Sequence, residues 1–156
     1  LGTDSVMSAS EETFMSSTNW TEGSGAAAAL ATIKKYEKFS VHEKLINVGN
    51  KVKEIWKDAA DQSGIPITIT GLPTLPAFSF DNKEATKLNT YFSIQMLQNG
   101  ILGFRQFKPS FAHDEYSLEK YSEAVKKIFI QISDQTILKD LNTPNQHSGF
   151  YRLTSE

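Results

Sequence analysis

The sequence predicts an α/β fold in which helices cover a small, mostly antiparallel sheet. Long segments repeat apolar residues at three- and four-residue steps, as amphipathic helices do. Two four-residue segments instead alternate apolar and polar residues, and a Gly/Pro loop separates them, which is typical of a strand pair. The 156 residues are 39% hydrophobic and 22% charged, the ordinary composition of a globular protein.

Charge and cysteine content exclude several classes of protein. The formal net charge is −2 with acids and bases interspersed, so no broad basic field is offered to nucleic acid. Cysteine is absent, which excludes disulfides, thiolate catalysis and cysteine-based zinc sites. The longest apolar run, residues 26–31, is far shorter than the roughly 20 residues of a membrane span. Three scattered histidines predict no metal site, and we expect a cytoplasmic protein without membrane contact.

A hydroxyl-rich turn over residues 16–25 runs directly into an alanine-rich helix, predicted over residues 24–37. Upstream, residues 4–7 are predicted as a helical turn and residues 11–17 as a short extended piece. Hydroxyls and unpaired N–H groups before a helix suit an anion such as phosphate. Alternatively, Ser24 or Thr21 only caps the helix. The residues alone leave both interpretations open.

Three further helices are predicted from apolar periodicity, over residues 41–62, 84–98 and 117–133. The residues predicted on the buried face of the first are Leu45, Val48, Val52, Ile55, Trp56 and Ala59. The second is expected to bury Leu88, Tyr91, Phe92, Met96 and Leu97. The third is expected to bury Leu118, Tyr121, Val125, Ile128, Phe129 and Ile132.

Short strands complete the predicted fold, over residues 67–70, 77–80 and 101–104. A loop of mixed aromatic, basic and hydroxyl character follows the last strand. Beyond residue 140 the composition favours an irregular tail.

Three segments carry a resemblance to the C-terminal part of class III pyridoxal-phosphate aminotransferases, most closely the glutamate-1-semialdehyde aminomutase-like branch. Residues 13–22 running into 26–33 resemble the family's Gly-Thr-x-x-Gly-Asn-Pro run and alanine-rich helix. Residues 64–80 are similar to its glycine-marked strand pair, and residues 96–102 with 111–115 to its Met-Leu-x-x-Gly-Val and Ser-x-x-His segments. The resemblance implies the C-terminal small domain of a fold-type I transferase.

The resemblance also implies a cofactor, pyridoxal 5'-phosphate, and a homodimer. In that family the turn reaches across the dimer interface and binds the cofactor phosphate of the partner subunit. Carried over, this role falls to Thr18, with Ser17 as its neighbour. The implied activity is that of an aminotransferase or aminomutase, which moves an amino group between small molecules through an external aldimine.

Three residues are candidates for substrate contact. The resemblance places the loop over residues 105–113 at the substrate end of the cavity, where Arg105 would bind a carboxylate and His113 lies nearby. A surface salt bridge of Arg105 and a loop-fixing hydrogen bond of His113 are the structural alternatives. Glu22 is a candidate to bind a substrate amine.

The resemblance divides the chain into a last piece of the large domain (1–25), the small domain (26–140) and the tail (141–156). The family's Schiff-base lysine lies upstream of the turn, so we expect no catalytic residue in this segment and no activity from it alone. Its expected partner is the missing N-terminal part or a second subunit. The alternative hypothesis is a non-catalytic dimerisation or binding module derived from the small domain.

Overall fold

The computed structural model describes residues 2–13, 18 and 22–134. Predictions for residues 14–17, for residues 19–21 and for the tail beyond residue 134 therefore lie outside the described residues. The chain divides into two compact units, Leu1–Phe39 and Ser40–Glu156. The domain boundaries at residues 25 and 140 stay predictions.

The first unit contains α1 (Asp4–Met7), a 3₁₀ helix (Ser8–Glu12) and α2 (Gly23–Lys38). The prediction of extended chain from residue 11 is wrong at its start. Residues 11 and 12 instead end the 3₁₀ helix. Within that helix the Ser8 and Ser10 hydroxyls donate to carbonyls three residues earlier, at 3.0 and 2.6 Å, which favours a tight helical turn. No residue of α2 is buried.

The second unit contains α3 (Val41–Ser63), β1 (Ile67–Thr70), β2 (Ala77–Phe80), α4 (Ala85–Gln98) and α5 (Glu115–Ser133). The periodicity predicted these helices to within two residues. Gly64 ends α3 in the left-handed conformation, with φ of 70°. Asp114 begins α5 through a capping box, accepting from the Ser117 N–H while the Ser117 hydroxyl accepts from the Asp114 N–H.

The sheet pairs β1 with β2 antiparallel, with Ile67 opposite Phe80 and Thr70 opposite Ala77. The strand predicted over residues 101–104 is wrong. The backbone that meets β2 lies further along, where the Phe78 N–H donates to the Arg105 carbonyl and the Phe107 N–H to the Pro76 carbonyl, both at 2.9 Å. Residues 105–107 therefore flank the sheet through one bridge, Ala77 to Gln106.

An aromatic cluster centred on Phe78 forms the core of this unit. The Phe78 ring centroid lies 4.9 Å from Trp56, 5.3 Å from Phe92 and 5.8 Å from Phe129. These rings come from α3, β2, α4 and α5, so a single strand residue joins all three helices. The predicted inner face of α5 is confirmed in full. Leu97 of α4 is instead 63% exposed, because it lies off the face that carries Phe92 and Met96.

Within residues 2–13, 18 and 22–134, no helix combines the length and apolar character that a membrane crossing requires.

Candidate functional site

Of the hydroxyl turn over residues 16–25, the structure describes Thr18 and residues 22–25, and Thr18 is exposed in a turn. Ser17 lies outside the described residues. The helix that follows begins at Gly23, and its N-cap is Glu22, whose side chain accepts no hydrogen bond from a backbone N–H of the first turn. Ser24 lies inside the helix, so the alternative that it is the N-cap is wrong, and Thr21 lies outside the described residues.

The Glu22 carboxylate instead accepts a hydrogen bond of 2.5 Å from the Ser24 hydroxyl. A carboxylate at this position is favoured by the partial positive charge of the helix N-terminus. Because the N-cap side chain makes no capping hydrogen bond among the described residues, the first N–H groups of the helix keep their donor capacity there. Thr18 and these N–H groups are the kind of donor set that a phosphate binds, and Glu22 is already engaged by Ser24.

Arg105 lies half-buried on the short extended segment that flanks β2. Its guanidinium carbon is 5.4 Å from the centroid of the Phe104 ring. Its Nε is buried without a hydrogen-bond partner among the described residues. The surface salt bridge considered for Arg105 is not among the ion pairs of the described residues, so the cation keeps capacity for an anion.

His113 lies in the turn before α5, and its ring is held from two sides. Nδ1 accepts from the Ser110 N–H at 2.9 Å, and the ring centroid is 4.9 Å from that of Phe107. The loop-fixing hydrogen bond considered from the sequence is thus present. Because Nδ1 is an acceptor, the proton of the neutral imidazole is on Nε2.

A cavity of about 260 Å³ opens beside His113. The segment after α4 supplies most of its wall, and α5 supplies Tyr121 from behind. Its lining residues are Ile101, Leu102, Gly103, Phe104, Gln106, Phe107, Lys108, His113 and Tyr121. Arg105 is not among them, so this cavity brings His113 together with Lys108 and Tyr121 rather than with Arg105. Thr18 and Glu22 belong to the first unit.

Tyr121 is the residue of this site that the sequence did not single out. It is 4% exposed, and its hydroxyl accepts a 2.8 Å hydrogen bond from the indole N–H of Trp56. Burial raises the pKa of the Tyr121 phenol, so the hydroxyl stays protonated. Periodicity correctly placed Tyr121 on the inner face of α5. The available signal for a further role was a hydroxyl on a face of otherwise apolar residues.

Comparison with known proteins gives relatives of one kind, although no protein-family model matches the chain. The chain is 24% identical over 127 residues to 3-aminobutyryl-CoA aminotransferase from Cloacimonas acidaminovorans, covering 78% of this chain and 31% of that protein. It is 25% identical over 122 residues to glutamate-1-semialdehyde 2,1-aminomutase from Legionella pneumophila strain Paris, covering 69% and 28%. The strain Corby aminomutase is 38% identical over 61 residues, covering 39% and 14%.

Two solved structures show a similar fold. The FumI protein of Sphingopyxis sp. MTA144, in its PLP internal aldimine form, matches with a TM-score of 0.76 at 20% identity, covering 94% of this chain and 34% of that one. A transaminase with PLP bound matches with a TM-score of 0.51 at 20% identity, covering 60% and 24%. The predicted α/β fold and the resemblance to class III aminotransferases are confirmed. The chain spans less than a third of the length of these curated relatives.

Proposed function

We propose that this chain is the C-terminal part of a pyridoxal-phosphate-dependent aminotransferase or aminomutase. The observation that carries the proposal is the similarity to 3-aminobutyryl-CoA aminotransferase along 78% of the chain. The TM-score of 0.76 to a PLP protein over 94% of the chain supports the same fold. The proposed substrates are small-molecule amino donors and acceptors, handled by a homodimer in the cytoplasm.

Thr18, with Ser17, is proposed to bind the cofactor phosphate of a partner subunit. An exposed hydroxyl and the uncapped N-terminus of α2 supply donors to a dianion. Pyridoxal phosphate, when bound, supplies the electron sink for amino-group transfer. The phosphate contacts of this chain would position the cofactor, and the Schiff-base lysine would come from the rest of the polypeptide.

The loop over residues 105–113 is proposed to line the substrate end of the site. Arg105 supports this role because it is half-buried, stacked on Phe104 and unpaired with any described carboxylate. His113 presents Nε2–H as a donor because Ser110 occupies Nδ1. Glu22 is proposed to contact a substrate amine, which requires a ligand to compete with the Ser24 hydroxyl.

The test uses the polypeptide encoded by the complete reading frame that contains these residues. We expect it to bind pyridoxal phosphate with a lysine-dependent visible absorbance band and to transfer amino groups. Thr18→Val should weaken cofactor affinity about tenfold or more, because a hydrogen bond to a charged group is lost. Thr32→Val is the control, since the Thr32 hydroxyl donates to the Ala28 carbonyl within α2. Absence of the absorbance band would refute the proposed activity.

A non-catalytic dimerisation module is the second candidate. One observation favours it: α2 buries none of its residues, and Leu30, Ile33 and Tyr36 are 60%, 54% and 41% exposed. Phe14 and Met15, expected to add to this apolar surface, lie outside the described residues. Two results together would favour the module over the enzyme. The chain would sediment in a concentration-dependent way that Ile33→Glu abolishes, and the complete polypeptide would bind no cofactor.

A further inference from the structure

The polar groups around the 260 Å³ cavity are mostly hydrogen-bond donors. Lys108, His113 and Tyr121 line it, and no described aspartate or glutamate does. The Gln106 amide carries both a donor and an acceptor, whereas the acceptor atoms of Tyr121 and His113 are already engaged by the Trp56 and Ser110 N–H groups. A lining with more free hydrogen-bond donors than acceptors suits a ligand group that only accepts hydrogen bonds.

Each of the three donors keeps an uncommitted proton among the described residues. His113 uses Nδ1 to accept from the Ser110 N–H, which leaves Nε2–H. The Tyr121 oxygen accepts from Trp56, and its own O–H has no described acceptor. Lys108 is exposed and takes part in none of the described ion pairs.

Of these three protons, that of the Tyr121 hydroxyl costs the most free energy to leave without an acceptor, because the residue is buried. The residue is 4% exposed and sits behind Phe107, at 5.1 Å between ring centroids. A buried hydroxyl that bulk water does not reach is stabilised when another group accepts its hydrogen bond. An anionic oxygen entering the cavity would provide one.

The remaining wall is apolar and small. Ile101, Leu102, Phe104 and Phe107 also line the cavity, and Leu102 is 97% exposed. A volume of about 260 Å³ lies just below the roughly 300–1,000 Å³ of pockets for drug-sized ligands. The cavity therefore fits a short carbon chain with one charged end.

We propose that this cavity binds a small monocarboxylate, with Lys108, the His113 Nε2–H and the Tyr121 hydroxyl around the carboxylate and the aliphatic chain against Phe104 and Phe107. The inference rests on the proposed function in one respect, that the bound carboxylate is taken to belong to the substrate. All the residues named lie in this chain, so the proposed binding can be tested without cofactor.

The experiment is an NMR titration of the 156-residue chain, without pyridoxal phosphate, using three probes that share one carbon chain. Butyrate should shift the amide resonances of Gly103, Gln106 and Lys108 at lower concentration than n-butanol or n-butylammonium. Equal binding of butanol would show an apolar pocket only and would overturn the proposal. Preference for butylammonium, or no binding of any probe, would overturn it as well.

Two variants separate carboxylate recognition from a change in folding. Tyr121→Phe keeps the aromatic packing and should weaken butyrate about tenfold, and butanol by less because its oxygen is an uncharged acceptor. Lys108→Gln should weaken butyrate by up to about fivefold, because the ammonium group is exposed. Lys127→Gln, an exposed lysine on α5 that does not line the cavity, is the control. Cofactor binding by the complete polypeptide is measured separately, so either proposal can fail alone.

Discussion

Replacing Gly49 by alanine should destabilise the second unit although the position is in the middle of a helix. Gly49 is buried in α3 where the loop between β1 and β2 crosses it. A Cβ at this position would lie 1.6 Å from the Pro73 carbonyl oxygen and 2.6 Å from its carbonyl carbon. Real Cβ contacts are not shorter than 3.0 Å, so helix and loop would have to separate by more than 1 Å.

The loop is poorly able to move by that distance. The Lys53 ammonium donates to the Gly71 carbonyl at 2.7 Å, and the Leu75 N–H donates to the Leu72 carbonyl at 2.9 Å. Overpacking of this kind costs about 3 kcal/mol at the upper end of the usual range. Alanine returns about 1 kcal/mol through its higher helix propensity. The expected net loss is about 2 kcal/mol, or about 4–8 °C in Tm for a chain of this size.

Urea and thermal unfolding followed by circular dichroism measure this loss. Gly25→Ala is the matched control, because Gly25 is also helical and its added Cβ meets nothing within 4 Å. Gly25→Ala should be neutral or slightly stabilising. If Gly49→Ala unfolds at the same midpoint as the unsubstituted chain, the close approach of Pro73 to α3 is refuted.

Two further predictions concern pH. Burial raises the pKa of Tyr121 above the ordinary 10.0, so above pH 10 the folded chain keeps a proton that the unfolded chain releases. The contribution of Tyr121 to the free energy of unfolding is therefore complete below about pH 10. Above that pH it is lost by up to about 1.4 kcal/mol per pH unit. Urea midpoints for Tyr121→Phe should show a shallower decline, to which Tyr91, whose pKa burial also raises, still contributes. The Ser117 N–H lowers the pKa of Asp114, so its capping contribution is present above about pH 4 and lost as pH falls through the lowered pKa. Asp114→Ala should therefore reduce stability at neutral pH and lose its effect in acid, whereas an effect that persists in acid contradicts the capping role.

Apolar periodicity predicted the second unit well because α3 and α5 each bury one face against a single core. Val52, Trp56 and Phe129 are 0% exposed, as a regular three- and four-residue pattern requires. Periodicity failed for Leu97, which follows Met96 directly and so points away from the buried side. Periodicity also did not predict that Gly49 must be a glycine, because the close approach of a loop distant in sequence leaves no local pattern.

The sheet and the cavity depended on tertiary contacts that local patterns do not contain. Ile101 to Phe104 has the composition of a strand, yet the backbone groups of Pro76 and Phe78 pair with Arg105 and Phe107. The segment before that pairing instead forms the wall of the cavity. Arg105 and His113 are eight residues apart in a loop, and only the folded chain shows that His113 lines that cavity whereas Arg105 does not.

The hydrogen bond between Trp56 and Tyr121 gives the chain an optical reporter of its own. The chain has two tryptophans, so replacing Trp20 by phenylalanine leaves the indole of Trp56 as the single emitter. That indole is 0% exposed, yet its N–H is bonded to the hydroxyl of a cavity residue. The proposed ligand oxygen, by accepting from Tyr121, would change the polarity around the Trp56 N–H. Occupancy of the cavity is thereby readable as tryptophan emission without any added label.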